Sequence, residues 1–506
     1  VASRDPARPN ILFILSDDQG AWALGCAGND EIRTPVLDGL ASRGMRFDNF
    51  FCVSPVCSPA RASLLTGDIP SRHGVHDWIR VGSVGPQRVD YLAGQTLVTD
   101  VLADHGYRCG LVGKWHLGAS DVPRPNFVTW FAHQSGMGPY HDAPMVEDGK
   151  LVNVPGYITD VLADRAAAFV HDEASQDAPF WLSLCFTAPH YPWIDCHPEA
   201  FTRLYRDCAF LSCPDEPPHP WFTGGKAAIE KGRRDRRESL VGYFAAVSAM
   251  DAAIGRVLAA LDDEGLARST LVVFMGDNGM NLGHHGIWGK GNGTRPQNMY
   301  DTSVKVPCIV SQPGRVPAGV VSDALLSGYD VFPTILEHAG IDHAPRHAKP
   351  GTSFAGILGG RDTRPDAPIV VFDEYGPVRM VRTREWKYVH RYPDGPHELF
   401  DLVADPGERV NRVDDPRAAP TLAAMRGELA TWFERYAEPS RDGRDKGVTG
   451  CGQLGPTERG DATHRMFADT HLVGADWDLW VDNGERSHAS EPAPVAPVFA
   501  TNGGKP

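Results

Sequence analysis

"PNILFILSDDQG", residues Pro9–Gly20, decides how this chain is read. Asn10 to Leu15 is a short, almost unbroken apolar run. It lacks the polar alternation of a half-exposed strand, so it reads as a strand buried on both faces. Strands of that kind belong to parallel sheets sandwiched between helices. The run stops at Ser16-Asp17-Asp18-Gln19-Gly20, which puts two adjacent carboxylates at the strand's carboxyl end.

The same alternation recurs along the chain. "TPVLDGLASRG" begins a helix, with Thr34 as N-cap and Pro35 at the first helical position. "QTLVTDVLADHG" is a helix, followed by the strand "CGLVG" and then Lys114-Trp115-His116. "YITDVLADRAAAFVHDE" leads into "FWLSLCF" and then His190. The long amphipathic helix "ESLVGYFAAVSAMDAAIGRVLAALDDEG" feeds "TLVVFM", which ends in Gly276-Asp277-Asn278-Gly279. Alternating strands and helices predict an α/β fold, a large mainly parallel sheet flanked by helices. Ligands in such sheets bind beyond the carboxyl ends of the strands. Four strands here end in chemically capable residues at that one edge.

After about Pro365 the texture changes. "IVVFDEY", "VRMVRTREWKYVHRY" and "HELFDLVADPGE" alternate as short antiparallel strands, and "AAPTLAAMRGELATWFERYAE" is helical. The expected organisation is therefore a catalytic domain over 1–365, a smaller C-terminal α+β antiparallel-sheet subdomain over 366–438, and an extended tail over 439–506. The tail either lies inert on the surface or folds back as one wall of the pocket.

Composition bounds the function. The 506 residues are 42% hydrophobic and 22% charged, as in a soluble globular chain. A net charge of −15 disfavours a general nucleic-acid binder, because phosphate backbones need a basic face. Ten cysteines without a CxxC pair exclude a disulfide scaffold and disfavour structural zinc. Cys196, Cys208 and Cys213 offer at most one local bridge. No apolar run reads as a membrane span and no signal-peptide core stands at Val1, so the compartment, cytoplasmic or exported, stays open.

The chemistry-bearing residues form two sets. Asp17, Asp18, Asp277 and Asn278 are oxygen donors, suited to a hard cation such as Ca²⁺ or Mg²⁺ rather than zinc. Either pair alone reads as turn residues; together, at equivalent strand ends, they favour a metal. Lys114 and His116 flank Trp115 and point to one side if the segment is extended. With Arg61, His190, His285 and Lys290 they supply the donors that a tetrahedral oxyanion needs. Cys57 stands at the mouth of a helix with Arg61 one turn on, where a thiolate would be stabilised. A soft thiolate is poorly matched to a hard cation, and the residues alone leave that conflict open.

Cys57-Ser58-Pro59-Ala60-Arg61 matches C-x-P-x-R, and Cys52 does not. With "PNILFILSDDQG", "VGKWHLG", "APHYPW", "VFMGDNG", "HHGIWGKG" and "HELFDLVADPGERVN" in that order, the chain resembles the type I, formylglycine-dependent sulfatases of the alkaline phosphatase superfamily from about Asn10 to about Tyr436. The resemblance implies that a formylglycine-generating maturation enzyme oxidises Cys57, and that the hydrate supplies the missing oxygen nucleophile. It implies Ca²⁺, in preference to Mg²⁺, on Asp17, Asp18, Asp277, Asn278 and the converted Cys57. Arg61 would orient the hydrate, and Lys114, His190 and Lys290 would bind sulfate. His190 or Lys290 would protonate the leaving oxygen, and His116 would act as base when a covalent sulfate ester is resolved.

"HDWIR" adds a candidate rim of His76, Asp77, Trp78 and Arg80, whose imidazole, carboxylate and aromatic face suit a sugar. "GMGPYHD", Gly136 to Asp142, is a second candidate rim. The expected activity is an exo-acting sulfatase on sulfated carbohydrate. The alternatives are a phosphonate monoester or phosphodiester hydrolase of the same superfamily, or a non-catalytic glycan-binding relative. No membrane partner is expected, and the oligomeric state is left open.

Overall fold

The computed structural model describes residues 8–222, 233–361, 371–457 and 466–468. Its centre is a ten-stranded sheet. In spatial order the strands are Val320–Ser322, Met45–Phe47, Cys308–Ser311, Thr270–Gly276, Asn10–Ser16, Phe180–Cys185, Arg108–Gly113, Phe127–His133, His141–Glu147 and Lys150–Tyr157. The five strands from Thr270–Gly276 to Phe127–His133 run parallel. Antiparallel pairings extend the sheet at both sides, and the outermost strand Val320–Ser322 pairs parallel with Met45–Phe47. The sheet is thus mixed and mostly parallel, with the expected parallel block at its centre.

The first strand shows why the apolar run had no alternation. Ile11, Phe13 and Leu15 enter one core layer with Leu64, Val101 and Phe332. Leu12 and Ile14 enter the opposite layer with Leu162, Phe169, Met250 and Ile254. Both faces are covered, so both residue sets are apolar. The helix Arg236–Asp263 is long and apolar enough to cross a membrane, with a mean hydropathy of 1.6 over its best window, contrary to the expectation that no such run exists. Its apolarity has another cause, since 72% of that window is buried inside the protein. It is the central helix of the second layer.

The helix Pro35–Ser42 starts where expected but is capped differently. Thr34 makes no side-chain cap, and its hydroxyl donates to Asp38 at 3.0 Å. The buried carboxylate of Asp251, from the long helix, instead accepts from the N–H groups of Val36 at 3.1 Å and Leu37 at 2.8 Å. Burial pushes the Asp251 carboxyl up to about 7, against the pull of those two donors.

A second, four-stranded antiparallel sheet follows in the order Val371–Tyr375, Val378–Arg382, Trp386–Arg391 and Glu398–Asp401. The helix Ala419–Tyr436 packs Met425, Leu429 and Phe433 against its Val381, Tyr388 and Leu399. The expected boundary near residue 365 lies outside the described residues, as do 458–465 and 469–506 of the expected tail. Residues 439–457 fold back onto the segment 71–80. Gly443 N donates to Ser71 Oγ at 2.8 Å, and Gln453 N donates to Trp78 O at 2.7 Å. All ten cysteines are free thiols, so the local bridge among Cys196, Cys208 and Cys213 does not form.

Asp251→Ala removes both cap acceptors and should lower stability by about 1 kcal/mol, read as a fall in the thermal midpoint. The folded-state pKa of Asp251 lies above its unfolded value, so the folded chain binds the extra proton between about pH 4 and 7. Asp251 therefore stabilises most at low pH. The gap between wild type and Asp251→Ala should narrow as pH rises from 5 to 8.

Candidate active site

Four adjacent parallel strands end at one edge, and each delivers its polar residues there. Asp17 and Asp18 follow the central strand, Asp277 and Asn278 its neighbour on one side, and His190 and Lys114 the next two on the other. All lie at or below 5% exposure except His190, which is half-buried. Consecutive carboxylates on an extended strand would point to opposite faces. Here Asp18 adopts φ 60°, a left-handed turn that swings its carboxylate back toward the centre.

The cations close on these acids. Lys114 Nζ lies 2.5 Å from Asp17 Oδ2, and Arg61 Nη2 lies 2.9 Å from Asp277 Oδ2 and 3.8 Å from Asp17 Oδ1. Arg61 Nη1 also donates to Lys114 O at 2.9 Å. Lys290 is ion-paired with Asp18 Oδ1, and its Nζ is 3.4 Å from Cys57 Sγ. His190 Nε2 stands 3.6 Å from Asp18 Oδ2. Asn278 Nδ2 donates to Asp18 Oδ1 at 2.9 Å.

The electrostatics follow from burial and these pairings. Burial would raise the Asp18 carboxyl, but Lys290, His190 and Lys114 outweigh it and hold the group below the usual carboxylate range. Burial and the neighbouring Asp17 push Asp277 up to about 6 despite Arg61. Burial would neutralise Lys290, yet the Asp18 carboxylate holds its ammonium protonated. Burial takes His190 down to about 4 and His116 well below its ordinary value. Both imidazoles are neutral at pH 7.

Two sequence expectations change here. Cys57 does start the helix Cys57–Thr66, but it is 3% exposed, and burial pushes its thiol up despite Lys114 and Lys290. The helix mouth does not make a thiolate. Nor is His116 aligned with Lys114 by extended alternation, because it has φ 56°. Its Nε2–H faces Ile79 O at 3.0 Å, which leaves Nδ1 buried with no hydrogen-bond partner among the described residues. That nitrogen is a free proton acceptor.

The rim residues divide. Trp78 and Arg80 are half-buried, with the Arg80 guanidinium 6.0 Å over the Trp78 ring. His76 and Asp77 are wholly buried and serve the fold. His76 Nε2 faces Arg441 O at 2.8 Å, and Asp77 accepts from Tyr375 OH at 2.6 Å and Gly452 N at 3.1 Å. They join the rim loop to residues 441–453, and neither is open to solvent. His285 is not with the cation cluster. Its ring stacks on Tyr300 at 3.9 Å, and Arg409 and Glu216 are its charged neighbours. Sequence reasoning missed Gln453, whose Oε1 accepts from His76 N at 2.8 Å, and Asn292, whose Nδ2 donates to Gly450 O at 3.3 Å. No local motif marks either residue.

The donor set fits a hard cation. Asp17, Asp18 and His190 each bring a ligand atom to within 4.8 Å of the others. Asp17 Oδ1 is buried without a hydrogen-bond partner among the described residues, and oxygen donors dominate the cluster. Ca²⁺ matches this chemistry better than zinc does.

Comparison with known proteins gives the family. The sulfatase family model matches residues 9–341, and a model described as N-sulphoglucosamine sulphohydrolase, C-terminal, matches residues 283–435. The chain is similar to an ulvan-active sulfatase of Formosa agariphila, 30% identical over 437 residues, covering 81% of this chain and 78% of that one. It is also similar to an N-acetylglucosamine-6-O-sulfatase of Bacteroides thetaiotaomicron, 27% identical with 80% and 82% covered. Among solved structures, a protein in complex with its substrate D-glucosamine-2-N,6-O-disulfate shares the fold. The TM-score is 0.72 at 24% identity, over 87% of this chain and all of that one.

Removing Lys114 would leave the buried Asp17 carboxylate without its nearest counter-charge. Lys114→Met should therefore cost about 3–5 kcal/mol, and Lys114→Met with Asp17→Asn should recover part of that loss in a thermal-unfolding cycle.

Proposed function

Because this chain belongs to the sulfatase family and is a sulfuric ester hydrolase, we propose that it removes sulfate from sulfated saccharides at the Cys57 site. One observation carries this reading. Lys290 stands 3.4 Å from Cys57 and is paired with Asp18, so nucleophile position, oxyanion-binding cation and acidic cluster share one point.

Conversion of Cys57 to formylglycine would supply an oxygen nucleophile there, and Ca²⁺ on Asp17, Asp18, Asp277 and Asn278 would add positive charge beside it. The chain's own residues account for the remaining work. Lys114, Lys290 and His190 hold the sulfate oxygens and stabilise the charge that develops on them. Arg61, fixed by Asp277 and by Lys114 O, keeps the helix mouth in register with the acids. His190 or Lys290 would supply the proton to the departing alcohol oxygen, and of the two it is Lys290, paired with Asp18, that carries a proton at pH 7. His116 accepts a proton at Nδ1, a role that suits a neutral ring whose other nitrogen is held by Ile79 O.

The saccharide reading is supported by the names of the two curated relatives and by the half-buried Trp78 and Arg80 beside Ile79. Residues 447–453 would close one wall, since Trp78 Nε1 and Asn292 Nδ2 both donate to Gly450 O. So buried a set of reacting groups favours a terminal sugar over the interior of a chain, hence exo action.

Matured enzyme should release inorganic sulfate from sulfated mono- or oligosaccharides and prefer 4-nitrophenyl sulfate to an aryl phosphonate; a strong phosphonate preference sinks the reading. Cys57→Ala should lower kcat at least about a thousandfold, by analogy with removal of other covalent nucleophiles. Chelation should abolish turnover, and Ca²⁺ should restore it and raise the thermal midpoint of wild type but not of Asp18→Asn.

A further inference from the structure

One buried titratable group at the active edge is used by nothing described so far. His133 ends the strand Phe127–His133, which lies beside Arg108–Gly113 and parallel to it. Gly113 pairs with Ala132, so Lys114 and His133 leave adjacent strands at the same level. Lys114 and Arg61 are the charged groups that act on His133.

His133 is 1% exposed, and neither Nδ1 nor Nε2 has a hydrogen-bond partner among the described residues. An imidazole buried this way forfeits both of its hydrogen bonds, a cost of about 1–3 kcal/mol for each lost group unless something outside the chain restores them. Burial, with Lys114 and Arg61 facing it, takes the ring down to about 3, so it is neutral, one nitrogen donating and the other accepting. A neutral donor–acceptor pair cannot replace a lysine on sulfate, but it matches a hydroxyl group.

The covering segment fits the same purpose. A Cβ on Gly136 would lie 2.0 Å from His116 Nε2, and one on Gly138 would lie 3.7 Å from His133 Nδ1. Tyr140 OH then donates to His190 O at 2.8 Å. Residues 136–140 therefore pass over His116, His133 and His190 in turn, and glycine at 136 makes the close approach possible.

We propose that His133 is a substrate-contacting residue that hydrogen-bonds a hydroxyl of the alcohol half of the sulfate ester held by Lys114. This rests on the saccharide reading above. It makes His133 a determinant of which alcohol is accepted, separate from the groups that bind sulfate.

The test uses matured wild type, His133→Leu and His133→Gln. Each is assayed on a panel of monosulfated saccharides and on 4-nitrophenyl sulfate, which has no hydroxyl on its alcohol half. For His133→Leu, the loss in kcat/KM on the preferred saccharide should exceed that on 4-nitrophenyl sulfate by about tenfold or more. His133→Gln, which keeps a donor and an acceptor, should restore part of that ratio. The thermal midpoint of His133→Leu should equal or exceed that of wild type, because an unpartnered buried imidazole gives way to an apolar side chain. Equal losses on both substrates, or no loss on either, overturn the assignment of His133 alone. A lowered midpoint with an unchanged substrate ratio does the same. A wild type that hydrolyses 4-nitrophenyl sulfate but no saccharide overturns the saccharide reading, and this assignment with it.

Discussion

Three carboxylates and three cations are held almost out of water at the carboxyl edge of one sheet, and the rest of the structure is arranged around that constraint. Asp17, Asp18 and Asp277 would each be unaffordable there alone. Lys114, Lys290 and Arg61 make them tolerable by pairing at short range in a low-dielectric interior. The geometry must be close to ideal, which is why its members ride on rigid strand ends and the first turn of a helix. The left-handed backbone at Asp18 and His116 shows where the fold bends to serve the site.

Much of this was legible in the sequence because the decisive information is local. A buried parallel strand writes itself as an apolar run, and the residue after it is placed at the ligand-binding edge by the fold. Asp17, Lys114, His190 and Asp277 could be read in this way from their own segments. The illegible parts depend on neighbours distant in sequence. Asp251 caps a helix more than two hundred residues upstream, and no cap motif at Thr34 betrays it. His76 and Asp77 look like sugar ligands by type, yet both are buried, and the 441–453 segment takes up His76 Nε2 and one carboxylate oxygen of Asp77. His285 sits one turn from Lys290 in sequence but faces Tyr300, because its left-handed backbone redirects the ring.

The fate of Cys57 shows the limit of residue-type reasoning in another way. A helix mouth and a neighbouring arginine both favour a thiolate, and both are present. Burial outweighs them, because the desolvation of a charged sulfur is larger than the help from cations already engaged with aspartates. The position is therefore a poor site for thiolate chemistry.

The return of residues 439–457 onto the segment 71–80 closes a very long loop of the chain. Gln453 joins backbone separated from it by 377 positions, at His76, so this join is among the most non-local contacts of the fold. Contacts of that range carry the largest loop-closure penalty. Two distant stretches of the chain are thereby tied to each other beside the Cys57 helix, and the hydrogen bonds of Gln453 and Gly443 help to offset the entropy of that closure.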